Sequence, residues 1–167
     1  MHLHKYERIW LIFGIASLVV FLAILAYGAF WKGTHPQSAM ETIDPNNVSA
    51  NEHFEESNLG LTEVSDKQYV LNIVASSFNY DLGKDDAGNA VKEVRIPKGS
   101  TVLFQVTTTD VVHGFNVAGT NANMMVEPGH ISRDEVKLNK PGTYTIVCNE
   151  YCGIGHHQMF AVLEVYE

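Results

Sequence analysis

Pro141-Gly-Thr-Tyr-Thr-Ile-Val-Cys148-Asn-Glu-Tyr-Cys152-Gly-Ile-Gly-His156-His-Gln-Met159-Phe-Ala-Val-Leu-Glu-Val-Tyr166 is the most informative stretch of this chain. Pro141-Gly142 signals a turn, after which Tyr144, Ile146 and Cys148 fall on one face of an alternating strand, Thr143–Cys148. Met159–Tyr166 predicts a second, final strand. Between the two lies a loop that reads C-x3-C-x3-H-x2-M, carrying two thiols, an imidazole and a thioether.

Working outward, more strands of the same kind precede it. Tyr69–Ala75 is rich in β-formers, and Val91–Ile96 is closed by the turn Pro97-Lys98-Gly99. Thr101–Thr109 alternates with Val102, Phe104 and Val106 on one face, and Ile131–Leu138 alternates more weakly. Short strands divided by Gly, Pro and Asn turns predict a mainly β sandwich or barrel. No amphipathic helix falls between them, which speaks against a parallel α/β sheet. No internal repeat or low-complexity tract interrupts the pattern. Hydrophobic residues are 46% of the 167 and charged residues 18%, enough for a packed core. The net charge of −8 argues against nucleic acid as a partner. Cys148 and Cys152 are the only two cysteines, and such close neighbours cannot form a disulfide framework for a domain.

Ile9–Trp31 contains no charged residue. As a helix it spans roughly 34 Å, enough to cross a hydrocarbon core of about 30 Å. Trp10, Tyr27 and Trp31 lie near its ends, where amphipathic rings favour the membrane interface. A cleaved signal peptide is the alternative, with small residues at Ala26–Ala29, but its apolar region is normally only about 7–15 residues. The expectation is a retained anchor. Lys5 and Arg8 precede the helix and only Lys32 follows closely, which predicts a cytoplasmic N-terminus (residues 1–8), a transmembrane helix (9–31) and the remainder outside. Residues 32–66, with Gly33, Pro36, Pro45 and Gly60 among many Asn, Ser and Glu, read as a linker with little regular structure beyond a short helix. The domain proper is then 67–167.

The donor set discriminates between metals. His113, in Asp110-Val-Val-His113-Gly-Phe, joins the loop as a second imidazole. Thiolate and thioether are soft donors suited to copper, and imidazole serves both of its oxidation states. Structural zinc takes four Cys/His ligands, and iron–sulfur clusters take four cysteines or two plus two histidines. A mononuclear blue-copper site needs one His, then Cys, His and Met on a C-terminal loop, and His113, Cys152, His156 and Met159 satisfy it. Cys148 is then left over. A second thiolate on the same loop makes sense if both sulfurs bridge two coppers, each with one histidine and one weaker ligand. Sharing the odd electron over two metals lowers reorganisation, which suits a relay better than a catalyst.

DVVHGFNV, PGTYTIVCNEYCGIGHHQM and the single N-terminal helix resemble subunit II of a heme–copper cytochrome c oxidase, and the lone helix resembles the B family of these oxidases. The resemblance implies a Greek-key cupredoxin-like β-barrel preceded by one transmembrane helix. It implies a dinuclear copper-A centre in which Cys148 and Cys152 bridge two copper ions. His113 and His156 bind one copper each, with Met159 and the backbone carbonyl of Glu150 as the weak outer ligands. The Glu150 carboxylate matches an acid that helps bind magnesium in commoner members, a site some B-family members lack. Implied partners are a large heme-containing subunit I, a soluble or membrane-attached cytochrome c as donor, and the lipid bilayer. Glu7, the only acid before the helix, falls where the B family has a proton-uptake group, and as an ordinary flank it would pair with Lys5 or Arg8. Two other functions stand beside this one: a stand-alone tethered copper carrier, and the equivalent subunit of a nitric oxide reductase or a nitrous oxide reductase domain.

Other residues carry plainer expectations. Asp110 either orients His113 or forms a turn. Phe78 and Tyr80 either lie over the copper loops or fill the core. Gly153 and Gly155 let the loop turn tightly. His157 points away from the metals, His35, His53 and His130 are solvated, and His2 and His4 are interfacial. Residues 33–167 carry 8 Lys/Arg and 18 Asp/Glu, an acidic surface suited to steering a basic donor.

Overall fold

A computed structural model describes residues 4–31 and 38–167. Lys32, Gly33, Pro36, His2 and His35 lie outside the described residues. The chain divides into two compact units, Met1–Pro36 and Gln37–Glu167.

The first unit holds one helix, α1, Lys5–Trp31. It starts a turn earlier than the uncharged run because its first turn is capped: the His4 amide donates to Glu7 Oε2 at 2.9 Å, satisfying one otherwise orphaned donor. Among the described residues it is the one helix long and apolar enough to cross a membrane. Its apolar side chains are exposed all round, as suits a lipid-facing helix.

The second unit is built from strands β1 Ser38–Thr42, β2 Gly60–Ser65, β3 Gln68–Ser76, β4 Asn79–Asp81, β5 Glu93–Pro97, β6 Ser100–Thr108, β7 His113–Val117, β8 Asn123–Val126, β9 His130–Leu138, β10 Gly142–Val147 and β11 Phe160–Tyr166. They form two sheets, one ordered β1-β9-β6-β3-β2 with β4 on β3, the other β5-β11-β10-β7-β8. The β3–β6 and β11–β5 pairs are parallel and the others antiparallel, so chain neighbours are separated between sheets in Greek-key fashion. The architecture is the expected mainly β, cupredoxin-like one.

Alternation decides which faces meet. Leu71, Ile73 and Ala75 from β3 and Val102, Phe104 and Val106 from β6 are fully buried against Phe115, Val117, Ile146, Ala161 and Leu163 of the other sheet. Each large side chain so buried contributes about 1.5–3 kcal/mol.

Residues 38–66 depart from the expected linker. β1 pairs with β9, β2 pairs with β3, and the intervening segment buries Val48 and Phe54 against Ile131, with Ile43, Leu59 and Val74 alongside. The outer face of the first sheet is therefore covered, which is why Asn72, Gln105 and Thr107 are buried although they point away from the main core. They are satisfied by a polar chain: Gln105 Nε2 donates to Asn72 Oδ1 at 3.0 Å, Asn72 Nδ2 to the Asn58 carbonyl at 2.9 Å, and Thr107 Oγ1 to the His130 carbonyl at 2.8 Å. The segment is polar in composition, but its few apolar residues have a partner surface, and that overrides the local signal.

Candidate metal centre

One loop and one strand end bring the sulfur and imidazole groups together. β10 ends at Val147 and delivers Cys148 into the core end of the sandwich. The chain then leaves the ladder and rejoins it at β11, with Cys148 N–H bonded to the Met159 carbonyl at 3.3 Å to close the loop. A short 3-10 turn, His156–Gln158, turns the last part of that loop. His113, the first residue of β7, enters from the neighbouring strand and is completely buried.

The two thiols lie side by side at 3.7 Å, both buried. They are free, far beyond the about 2.05 Å of a disulfide. Each has an imidazole nitrogen nearby: His113 Nδ1 is 3.9 Å from Cys148 Sγ and His156 Nδ1 is 3.5 Å from Cys152 Sγ. Met159 Sδ stands 3.8 Å from Cys152 Sγ, and the Glu150 carbonyl accepts from Cys148 Sγ at 3.1 Å. The donor atoms of His113, Cys148 and Cys152 all fall within 4.8 Å of one another. A soft central pair, two imidazoles and two weak outer donors match the chemistry of copper better than that of zinc. Burial, then the adjacent Cys148 thiol, push the Cys152 thiol above its ordinary range, so a metal entering here displaces protons.

Asp110 orients His113. Its Oδ1 lies 2.8 Å from His113 Nε2, which places the ring proton on Nε2 and leaves the Nδ1 lone pair facing Cys148. Burial opposes ionisation of this carboxyl, but hydrogen bonds from Ser77, His113 and the Val111 amide outweigh it and hold the group well below the usual carboxylate range. Ser77 gives it both its amide, at 2.7 Å, and its hydroxyl, at 2.6 Å. The turn role is also present: the Val111 amide donates to Oδ1 at 2.7 Å.

The two aromatics have different places. Phe78 lies over the ligand loop, 37% exposed, and takes the space that side chains at Gly153 and Gly155 would need. A Cβ at Gly155 would come within 2.4 Å of the Phe78 ring, and Gly153 in addition has a φ of +131°. Tyr80 is a core residue. On the same loop Tyr151 and Ile154 are 79% and 91% exposed.

The Glu150 side chain is exposed, as is His157, while Glu7 caps the helix of the other unit. His53 is within 3.9 Å of Glu52. His130 is not simply solvated: its Nδ1 is buried without a hydrogen-bond partner, because β1 and Gly129 close over that edge. Sequence reading missed Ser77, Gly114, Asn123 and Asn149. Asn149 Nδ2 donates to Asn123 Oδ1 at 2.9 Å, tying the ligand loop to β8. Only Gly114 had a signal, following a candidate ligand inside a strand.

Comparison with known proteins agrees with this geometry. Residues 79–166 match the family described as cytochrome c oxidase subunit II, periplasmic domain. A cytochrome c oxidase subunit 2 of Thermus thermophilus is 34% identical over 164 residues, covering 97% of this chain and 92% of the relative. A probable cytochrome c oxidase subunit 2 of Streptomyces coelicolor is 37% identical over 91 residues, 52% of this chain and 28% of the relative. A chain from a cryo-EM structure of a heme–copper terminal oxidase dimer superposes with a TM-score of 0.77 at 31% identity, covering 97% of this chain and 100% of that one.

Proposed function

We propose that this chain, which belongs to the cytochrome c oxidase subunit II family, is the subunit through which electrons enter a respiratory terminal oxidase. With two copper ions bound as a dinuclear centre, the chain would take electrons from a cytochrome c and hand them on to heme in a separate large subunit, where oxygen is reduced to water. The observation that carries this reading is the convergence of two thiols, two imidazoles, a thioether and a carbonyl at one end of the sandwich. Bound there, copper supplies one-electron redox chemistry.

The chain's own residues do the rest. Cys148 and Cys152 would be the thiolate ligands shared by the two metals, His113 and His156 would supply one imidazole to each, and Met159 and the Glu150 carbonyl would be the weak ligands. Asp110 holds the His113 tautomer. Phe78 and the buried strand ends keep water off the sulfurs, which limits solvent reorganisation during transfer. The anchor is a single transmembrane helix with its N-terminus cytoplasmic, and the ligand-bearing domain lies on the extracytoplasmic face. That domain begins near Gln37 rather than at residue 67, because β1 and β2 are part of it.

Purification of the complex from native membrane tests the proposal. Two coppers per chain and a co-purifying heme-bearing large subunit are expected. One copper with a blue mononuclear spectrum overturns the dinuclear centre. Copper without any heme subunit favours the stand-alone carrier, and a nitric-oxide-reducing large subunit favours the reductase alternative. The acidic surface adds a kinetic check: association with a basic cytochrome slows as ionic strength rises and the screening length falls to about 8 Å.

A further inference from the structure

Tyr80, on β4, is completely buried, yet it carries a hydroxyl where phenylalanine would fill the same space. The ring stands edge-on to Phe115, with centroids 5.8 Å apart and planes at 85°. The hydroxyl donates to the backbone carbonyl of Gly114 at 2.5 Å. A buried phenol needs such a partner, and here the partner belongs to the residue directly after His113.

Gly114 is also where the ligand loop closes on β7. A Cβ there would lie 2.0 Å from Asn149 Oδ1, 2.7 Å from the Asn149 nitrogen and 2.8 Å from the Glu150 nitrogen. Asn149 is pinned from the other side by Asn123. The Gly114 peptide is thus a spacer between the strand that carries His113 and the main chain that carries the Glu150 carbonyl, and the Tyr80 hydroxyl holds it alongside the β7–β8 pairing.

We propose that Tyr80 is a positioning residue for the metal centre, its hydroxyl acting through the Gly114 carbonyl to set the spacing between His113 and the Glu150 main chain. The inference rests on the dinuclear reading above. It predicts that the hydroxyl, not the ring, governs how evenly the two coppers share the electron.

The test compares Tyr80→Phe with Phe115→Leu in the full-length chain in detergent. In Tyr80→Phe both coppers bind, the reduction potential shifts, and the hyperfine pattern departs from that of an electron shared equally by two nuclei. In the metal-free variant, amide exchange at Asn149 and Glu150 quickens by about tenfold. In Phe115→Leu the melting temperature falls while spectrum, potential and loop exchange stay as in wild type. Identity of Tyr80→Phe with wild type in all three readouts overturns the proposal, and so does an equal change in Phe115→Leu. A wild-type chain that binds one copper overturns the dinuclear reading instead, and loop exchange in the metal-free variants then still decides the hydroxyl's role. Should Tyr80→Phe not fold, the metal-free wild-type chain decides: a slowly exchanging phenol proton coupled to the Gly114 carbonyl supports the proposal, and a freely exchanging one overturns it.

Discussion

Residues 43–59 and residues 148–159 are both irregular segments with short 3-10 turns, laid over the same sandwich and held in opposite ways. The first is held by burial: Val48 and Phe54 are inside against Ile131, and Asn58 is bonded to the sheet through Asn72. The second turns only its sulfurs into the main core, through Cys148, Cys152 and Met159, and leaves Tyr151 and Ile154 in solvent. What it has instead is close approach, with Gly153 and Gly155 under Phe78 and Gly114 under Asn149. A segment that packs on a sheet needs nothing else to be ordered. A loop of inward-facing donors is pre-shaped by its neighbours and is completed by what it binds.

The largest expected effect breaks the second segment alone. Cys148→Ser or Cys152→Ser abolishes the mixed-valence spectrum, since one bridging sulfur cannot hold two metals, while far-ultraviolet dichroism of the chain stays unchanged. A retained dinuclear spectrum would show that the loop does not work as described.

Phe54→Ala breaks the first segment alone. Removing a ring that is 2% exposed costs about 3–5 kcal/mol, read as a fall in the denaturation midpoint. Copper content and spectrum are unaffected. A spectral change would mean that the two segments are coupled through β3.

Asp110→Asn sharpens the contrast, because Asp110 ties the end of β3 to a ligand. Copper affinity falls about 10–100-fold, measured by competition with a chelator. The same variant has a pH signature in the metal-free chain. A folded-state value held below the ordinary 3.8 adds stability that is complete above 3.8 and disappears as pH falls through the folded value. Wild type therefore exceeds the variant in melting temperature at neutral pH, and the gap closes in acid.

The smallest effect lies outside both segments. In the intact complex, Glu7→Gln slows steady-state oxygen consumption and leaves copper reduction by the donor unchanged in stopped flow. Undiminished turnover would leave Glu7 as the helix cap seen in its bond to the His4 amide.

Sequence alone determined the features whose geometry is local. The spacing of Cys148, Cys152, His156 and Met159 fixes their neighbourhood whatever surrounds the loop. The uncharged run fixes the helix, and alternation fixed the inner faces of β6 and β10. Tertiary structure decided whatever depends on a partner far along the chain. His113 meets Cys148 across 35 residues only because β7 and β10 pair. Phe78 covers the loop while Tyr80, two residues on, enters the core, because Phe78 lies in the turn between β3 and β4 and Tyr80 within β4. Ser38–Thr42 and Gly60–Ser65 read as linker because composition reports average polarity, whereas pairing with β9 and β3 depends on open edges that exist only after the sheet has formed.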